Sequence, residues 1–333
     1  MRNMRILIPT PSMNLHGGIR VIVEWANHLA RRDHEVTLQV LRGRGIPNDW
    51  IDIDPQVNVV WRPLGNASDA DVIIATTPPI AALVSRMRAK GRKFYLLQML
   101  EDMFQPKSPG WVNTCKQSYQ VDFPILSISK WNETLLREKH GRTGPIIHIG
   151  NGVSQHFRPG QKDEQLTVLV EGWNGYNAAK DTDHIGPRAA EYIKEKYGAR
   201  IIAYAQHGPR VLPGVPDEFW KSPGTDEIVR LYQRAHFMIK ATKYDARSCA
   251  PVEAMKCGTP TARAIILGDD DLYHGYNCLR CGYDYEALTK LCDKLARYDD
   301  LRKRLATNGL EYAQKWLDWN FWMDIVESIF YDT

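Results

Sequence analysis

One local unit recurs along this chain and restricts its fold more than any single residue does. It is a short apolar strand, a loop of small and polar residues, an amphipathic helix and a second strand. The sequence opens with it: Met4 to Pro9 reads as a buried strand and TPSMNLHGG as the loop. Val21, Ile22, Trp25, Ala26, Leu29 and Ala30 then recur at helical spacing, and EVTLQVL (35–41) is the second strand. Such units join parallel strands, and their repetition builds a doubly wound sheet with helices on both faces. Further strands are expected at 57–61, 71–75, 93–99 and 125–129. The polar segment HFRPGQKDEQ (156–165), with Pro159 and Gly160, reads as a linker. The pattern then restarts with LTVLVEG (166–172), a helix around 187–197, ARIIAYA (199–205), a helix at 225–234, HFMIKAT (236–242) and a helix opening at Ala250-Pro251-Val252. Residues 284–314 read as helical. The closing KWLDWNFWMDIVESIF carries too many apolar groups for a free tail. The expectation is an α/β chain of two doubly wound domains, 1–157 and 158–314, with a last helix at 315–333 crossing back to the first.

Composition agrees with this and removes other classes. A length of 333 residues suits about two domains. With 44% hydrophobic and 25% charged residues, disorder and fibrous repeats are excluded. No apolar run approaches the ~18–20 residues that span a bilayer. ILIP, behind the first charges, is too short for a signal-peptide core, so a cytoplasmic protein is expected. The net charge of +4 is too mild to imply nucleic acid as a partner. It is unevenly divided: residues 1–157 hold 19 basic and 13 acidic side chains, residues 158–333 hold 24 and 26. Arg86, Arg88, Lys90, Arg92 and Lys93 cluster in a stretch without acids. That cluster is either a solvated helix end or a peripheral contact with anionic lipid headgroups or an anionic acceptor at the inner membrane face. Of six cysteines, Cys278 and Cys281 form a CxxC with Cys292 eleven residues on. A structural zinc site needs a second pair, so reduced thiols are expected.

Two tandem α/β domains can face each other across a cleft lined by the carboxyl ends of their strands, where ligands of such sheets bind. The most informative text there is KATKYDARSCAPVEAMKCGTP (240–260). Asp245 falls in the loop after a strand and Glu253, eight positions on, in the first turns of the next helix. Between them, Ser248–Val252 offers backbone amides at a helix N-terminus, with Pro251 suited to an early helical position. Such a terminus takes phosphate, because its amides lack internal partners and the helix dipole favours an anion. Carboxylates beside it would repel phosphate and more plausibly accept hydrogen bonds from neutral sugar hydroxyls. One on each side describes a nucleotide sugar. Taken alone, the same text also fits an ordinary loop and helix start.

The pattern AxxxDxxxxxxxEAMxCGTP resembles the signature segment of glycosyltransferase family 4 (group 1), retaining enzymes with the GT-B fold of two Rossmann-like domains. In that family two glutamates stand eight apart; Asp245 replaces the first here, and EAMKCGTP (253–260) fits closely. Other similar segments are spread over most of the chain. They are the opening MRILIPTPSMNLHGGIRVIVEWANHLARRDHEVTL with Gly17-Gly18, LSISKWNETLLREKHG (126–141), NGVSQHFRP (151–159), HGYNCL (274–279) and Trp319 in the last helix. YLLQMLEDMFQP (95–106) is similar to a subset of bacterial polysaccharide and rhamnosyl transferases. The resemblance implies that Glu253 holds ribose hydroxyls and that Asp245 contacts the donor sugar. Amides near Ala250 and Val252 and those of Gly17 and Gly18 would face the diphosphate or acceptor. The family places an arginine and a lysine on the loop after the second domain's first strand. Lys180 fills the lysine role, Trp173 occupies the arginine position, and Lys240, Lys243 or Arg247 is expected to supply the missing charge.

Where many members carry a first-domain histidine, this chain has Gln98, Glu101 and Asp102, with His16 beside the glycine loop as the nearest histidine. Asp52-Ile53-Asp54 and Asp269-Asp270-Asp271 read as exposed loops and not as a diphosphate-metal site. The resulting expectation is a metal-independent retaining transferase without a cofactor, moving a hexose or deoxyhexose from a nucleoside-diphosphate sugar to a glycan, lipid-linked or small-molecule acceptor. The alternatives are a nucleotide-sugar-binding GT-B protein without transferase activity and a GT-B-like nucleotide-sugar epimerase. A dinucleotide oxidoreductase is disfavoured, since HGGIR is not a GxGxxG fingerprint.

Overall fold

The computed structural model describes residues 3–14, 17–43, 45, 51–66, 68–104, 108–171, 180–205 and 216–332. They form two compact units, residues 1–152 with 319–333, and residues 153–318. In the first, strands β1 (Arg5–Thr10), β2 (Glu35–Val40), β3 (Asn58–Trp61), β4 (Val72–Ala75), β5 (Arg92–Leu97), β6 (Ile125–Ser127) and β7 (Ile146–His148) make one parallel sheet in the order β3-β2-β1-β4-β5-β6-β7. Helices α1 (Gly17–Ala30), α2 (Pro78–Ser85), α3 (Glu101–Phe104), α4 (Pro109–Ser118) and α5 (Lys130–Glu138) lie between them. A parallel sheet covered on both faces needs strands apolar on both sides. Ile6, Leu7, Ile8 and the whole of Val72–Ala75 are accordingly buried.

The second unit repeats the plan with β8 (Thr167–Glu171), β9 (Arg200–Ala205), β10 (Glu218–Lys221), β11 (Phe237–Ala241), β12 (Thr261–Ala264) and β13 (Cys278–Cys281), ordered β10-β9-β8-β11-β12-β13. Its helices are α6 (Ile185–Tyr197), α7 (Thr225–Arg234), α8 (Cys249–Lys256), α9 (Tyr285–Arg297) and α10 (Asp299–Trp316). Chain reversal between strands one and four, here β8 and β11, is the doubly wound order. One apolar cluster on each face completes the domain. The expected helical stretch 284–314 is two helices, broken at Tyr298, and β7, β10, β12 and β13 are strands that periodicity did not announce. TARA (β12) has no apolar run; it is a strand because it lies between β11 and β13, pairing Ile239 with Ala262 and Ala262 with Leu279.

The chain leaves the first unit after Gly152, five residues ahead of the expected boundary. Val153 and Phe157 pack in the second domain's core, and the Val153 amide donates to the Leu317 carbonyl at 2.8 Å. It re-enters at Trp319, where α11 (Trp319–Asp332) begins. Phe330 meets Phe94 of β5 with ring centroids 5.2 Å apart, and Trp319 stacks on His28 of α1 at 5.3 Å. Buried Glu327 accepts from Arg32 and from His34 Nε2 (2.8 Å), while His34 Nδ1 accepts from the Met4 amide. No helix among the described residues is long and apolar enough to cross a membrane.

Three sequence features find their place in this frame. Cys278 and Cys281, three apart on β13, point to opposite faces because strand side chains alternate with period two. Cys278 packs in one apolar cluster and Cys281 against the other, so they do not form a pair of ligands. Burial pushes both thiols up, to about 12 and about 11. Arg86, Arg88 and Lys90 are exposed, with Arg92 and Lys93 half-buried at the start of β5. Gln98, by contrast, follows the end of β5, roughly 20 Å along the sheet at ~3.3 Å per residue. Asp269 is not in an exposed loop: it is 3% exposed, and its partners belong to the site below.

Candidate functional site

The reversal point of the second sheet lies between the ends of β8 and β11, and the loops there come from 242–248 and 265–271. Three helices of this domain follow strands nearby, and their first amides are differently committed. Asp181 accepts the Ile185 and Gly186 amides of α6 at 2.9 and 2.8 Å, and Tyr283 holds that carboxylate in turn at 2.6 Å. Glu227 accepts the amide of Gly224, the residue ahead of α7, at 2.8 Å. At α8 the Ser248 amide donates to Asp269 at 2.9 Å, and the Ser248 side chain caps no helix amide. Pro251 has no amide hydrogen. Ala250, Pro251 and Val252 are all buried in the first turn.

Around this turn the charges form a closed network. Asp245, 8% exposed, has Lys180 Nζ at 3.7 Å and Arg263 Nη2 at 3.9 Å. Burial by itself would raise its carboxyl, but Lys180, Lys240, Arg263 and the Ser248 hydroxyl hold it below the usual carboxylate range. An antiparallel bridge between Lys180 and Thr242 sets Lys180 beside the end of β11. Lys240, inside β11, ion-pairs with Glu171 of β8 and is brought down to about 8, chiefly by burial. The remaining candidates for a second positive group are engaged elsewhere: Arg247 pairs with Asp271, and Lys243 with Thr182 (2.7 Å) and Asp183 (3.0 Å). Asp271 also accepts from Tyr312 at 2.7 Å. Asp269 and Asp271 of the DDD segment are thus paired with Arg263 and Arg247. Among the described residues no group of three or more His, Cys, Asp or Glu side chains converges on a metal position.

The cation absent from the sequence reading is Arg263. It is fully buried, its Nε donates to Asp269 and its Nη1 to the Lys240 carbonyl at 3.4 Å, and Nη2 has no hydrogen-bond partner. An arginine in the text TARA gives no local signal; only its position in β12, beside the end of β11, makes it part of the site. Glu253, 6% exposed, belongs to a different set of bonds. It accepts from Tyr232 at 3.1 Å, and Tyr232 shares a 2.9 Å hydrogen bond with Tyr204. Behind it, α10 approaches α8 at Gly309, where a Cβ would come within 2.8 Å of Met255 Cγ.

In the first domain, Gly17 and Gly18 begin α1, and Gln98 Nε2 donates to the Gly18 carbonyl at 3.0 Å, joining two residues singled out separately. Glu101 is half-buried in the first turn of α3. Asp102 is turned inward, accepting from buried Tyr119 at 2.9 Å with His140 Nε2 at 3.6 Å. Burial lowers the His140 pKa. His16 and Trp173 lie outside the described residues.

Set against solved structures, the chain is similar to sucrose-phosphate synthase from Thermosynechococcus elongatus (13% identity, 100% of both chains, TM-score 0.81). It is also similar to HepE of Anabaena in complex with UDP-glucose (15%, 98% of this chain and 99% of that one, TM-score 0.76). WaaG, a glycosyltransferase involved in lipopolysaccharide biosynthesis, matches at 13%, 98% and 100%, with a TM-score of 0.73. No family model and no curated protein sequence matches. At these identities the likeness is one of fold, and the fold is GT-B.

Proposed function

We propose that this chain is a metal-independent retaining glycosyltransferase of the family 4 type, transferring a hexose or deoxyhexose from a nucleoside-diphosphate sugar to a hydroxyl acceptor. The observation that carries this reading is the start of α8. At α6 Asp181 takes the Ile185 and Gly186 amides of the first turn, whereas at α8 Asp269 takes the amide of Ser248 ahead of the helix, and the buried turn Ala250–Val252 follows with Asp245 before it and Glu253 after it. A diphosphate at that turn would meet amide dipoles and the half-exposed Lys180, preorganised for the charge that develops as the sugar leaves. Glu253 would accept ribose hydroxyls and Asp245 a hydroxyl of the sugar. In the transfer, the acceptor oxygen bonds to the anomeric carbon on the face from which the phosphate oxygen departs. That departing oxygen takes the acceptor proton, so no protein nucleophile or metal is needed. The complex of HepE with UDP-glucose supports a nucleotide-sugar donor on this fold.

The reading is tested with UDP, GDP, TDP and ADP sugars in a thermal-shift series, followed by transfer assays in excess EDTA. One donor should raise the unfolding temperature, since ligand at a hundred times Kd adds about 2.7 kcal/mol. Transfer should survive the chelator. No stabilisation by any donor would overturn the donor assignment, and activity lost to EDTA and restored by manganese would overturn the metal-free mechanism.

A further inference from the structure

Two buried carboxylates, Asp245 and Asp269, stand on neighbouring loops at the mouth of the second sheet, and one guanidinium lies between them. Arg263 reaches it from the middle of β12, where a strand interior normally holds an apolar side chain. Its Nε is bonded to Asp269, its Nη2 lies 3.9 Å from Asp245, and it is fully buried. Asp269 passes the constraint on: its other oxygen accepts the Ser248 amide, the residue that opens α8. The two loops are laced together by backbone bonds from Ile266 to Lys243, Asp245 to Leu267 and Asp269 to Ala246, at 3.0, 3.2 and 3.1 Å. We infer that Arg263 is a positioning residue of the donor site: from inside the sheet it fixes the Asp245 carboxylate and, through Asp269, the start of α8. This rests on the donor site proposed above.

Like charges this close cannot both stay ionised without a cation between them. The groups facing Asp245 are Lys180 ahead of α6, Lys240 on β11, Arg263 on β12, the Ser248 hydroxyl at α8 and Asp269 on the loop after β12, with Glu171 of β8 balancing Lys240. Lys180 is half-exposed, and buried Lys240, which also acts on both carboxylates, is paired with Glu171; among the described residues Arg263 is the buried cation whose ion pairs reach both Asp245 and Asp269. Its removal should let a proton onto the pair. Arg263 does not reach solvent, so it acts on a donor through Asp245 and the α8 turn.

The experiment follows the Asp245 side-chain carboxyl by 13C NMR across pH in the protein without nucleotide, assigned with Asp245→Asn. In the wild type the resonance should titrate below the ordinary carboxylate range; in Arg263→Met its midpoint should rise by at least about one pH unit. Arg263→Lys, which keeps a buried cation for Asp269, should shift it less and in the same direction. If the methionine variant does not fold, the lysine variant alone decides. Donor affinity should then fall about tenfold per unit as pH drops through the raised midpoint in Arg263→Met, and stay flat in the wild type. Titration coincident with wild type in both variants overturns the inference. A wild type that binds no nucleotide sugar sinks the donor reading instead, while the ligand-free titration still decides Arg263.

Discussion

Glu253 shows how one side chain is prepared for a ligand. It is buried in the second turn of α8 and accepts from Tyr232. A carboxylate can take about four hydrogen bonds. In Glu253→Gln the acceptor for Tyr232 survives and the charge does not. Nucleotide-sugar affinity is expected to fall at least tenfold, because a hydrogen bond to a charged group contributes about 1.5–3 kcal/mol. Calorimetry with the donor found in the thermal-shift series would check it; unchanged affinity would remove Glu253 from the ribose role. The spacing of Asp245 and Glu253 was legible in the text. The division of labour was not: Asp245 sits among cations, Glu253 among tyrosines, and those neighbours come from residues 180, 204, 232 and 263.

At the scale of elements, the loop from 265 to 271 is a strap across the start of α8. Its critical residue is Gly268, with φ +128°, where a Cβ would overlap the Asp245 carbonyl. Gly275 is also left-handed, φ +77°, but nothing lies within 4 Å of its Cβ position. The two replacements by alanine therefore separate conformational strain from collision. Gly275→Ala should cost about 1 kcal/mol, the left-handed penalty alone. Gly268→Ala should cost several kcal/mol more and weaken donor binding as the strap lifts. Urea denaturation gives both values, and equal costs would show that the strap is not seated on the 243–248 loop. No periodicity announces such a loop, because its conformation is imposed by Arg263, Asp269 and Arg280, the last of which donates to the Gly268 carbonyl at 3.0 Å.

Each domain of the whole molecule buries its own core, yet the first is closed only by the last segment of the chain. Met323, Val326 and Phe330 of α11 are fully buried there, and large apolar side chains contribute about 1.5–3 kcal/mol each on burial. The same helix carries Glu327, held by Arg32 and His34. A chain ending at Asp318 should lose the first domain's cooperative unfolding while residues 153–318 retain theirs. Calorimetry should show a single remaining transition of reduced enthalpy. Two transitions as large as in the full chain would mean that α11 is dispensable.

Strand–helix alternation, the two-domain plan, the helix start at Ala250-Pro251 and the pair Asp245 and Glu253 are all local, and the sequence alone determined them. Burial on both faces writes apolar runs into parallel strands, and a helix start is written in the residues beside it. Tertiary structure alone decided the rest. It made a strand of TARA by pairing it on both sides, split the CxxC across two faces of β13, and paired Asp269 and Asp271 with arginines. It also enclosed Arg263 between two carboxylates distant in sequence. These depend on neighbours brought together by crossovers, and a buried charge takes its role from the groups that surround it rather than from the residues next to it in the chain.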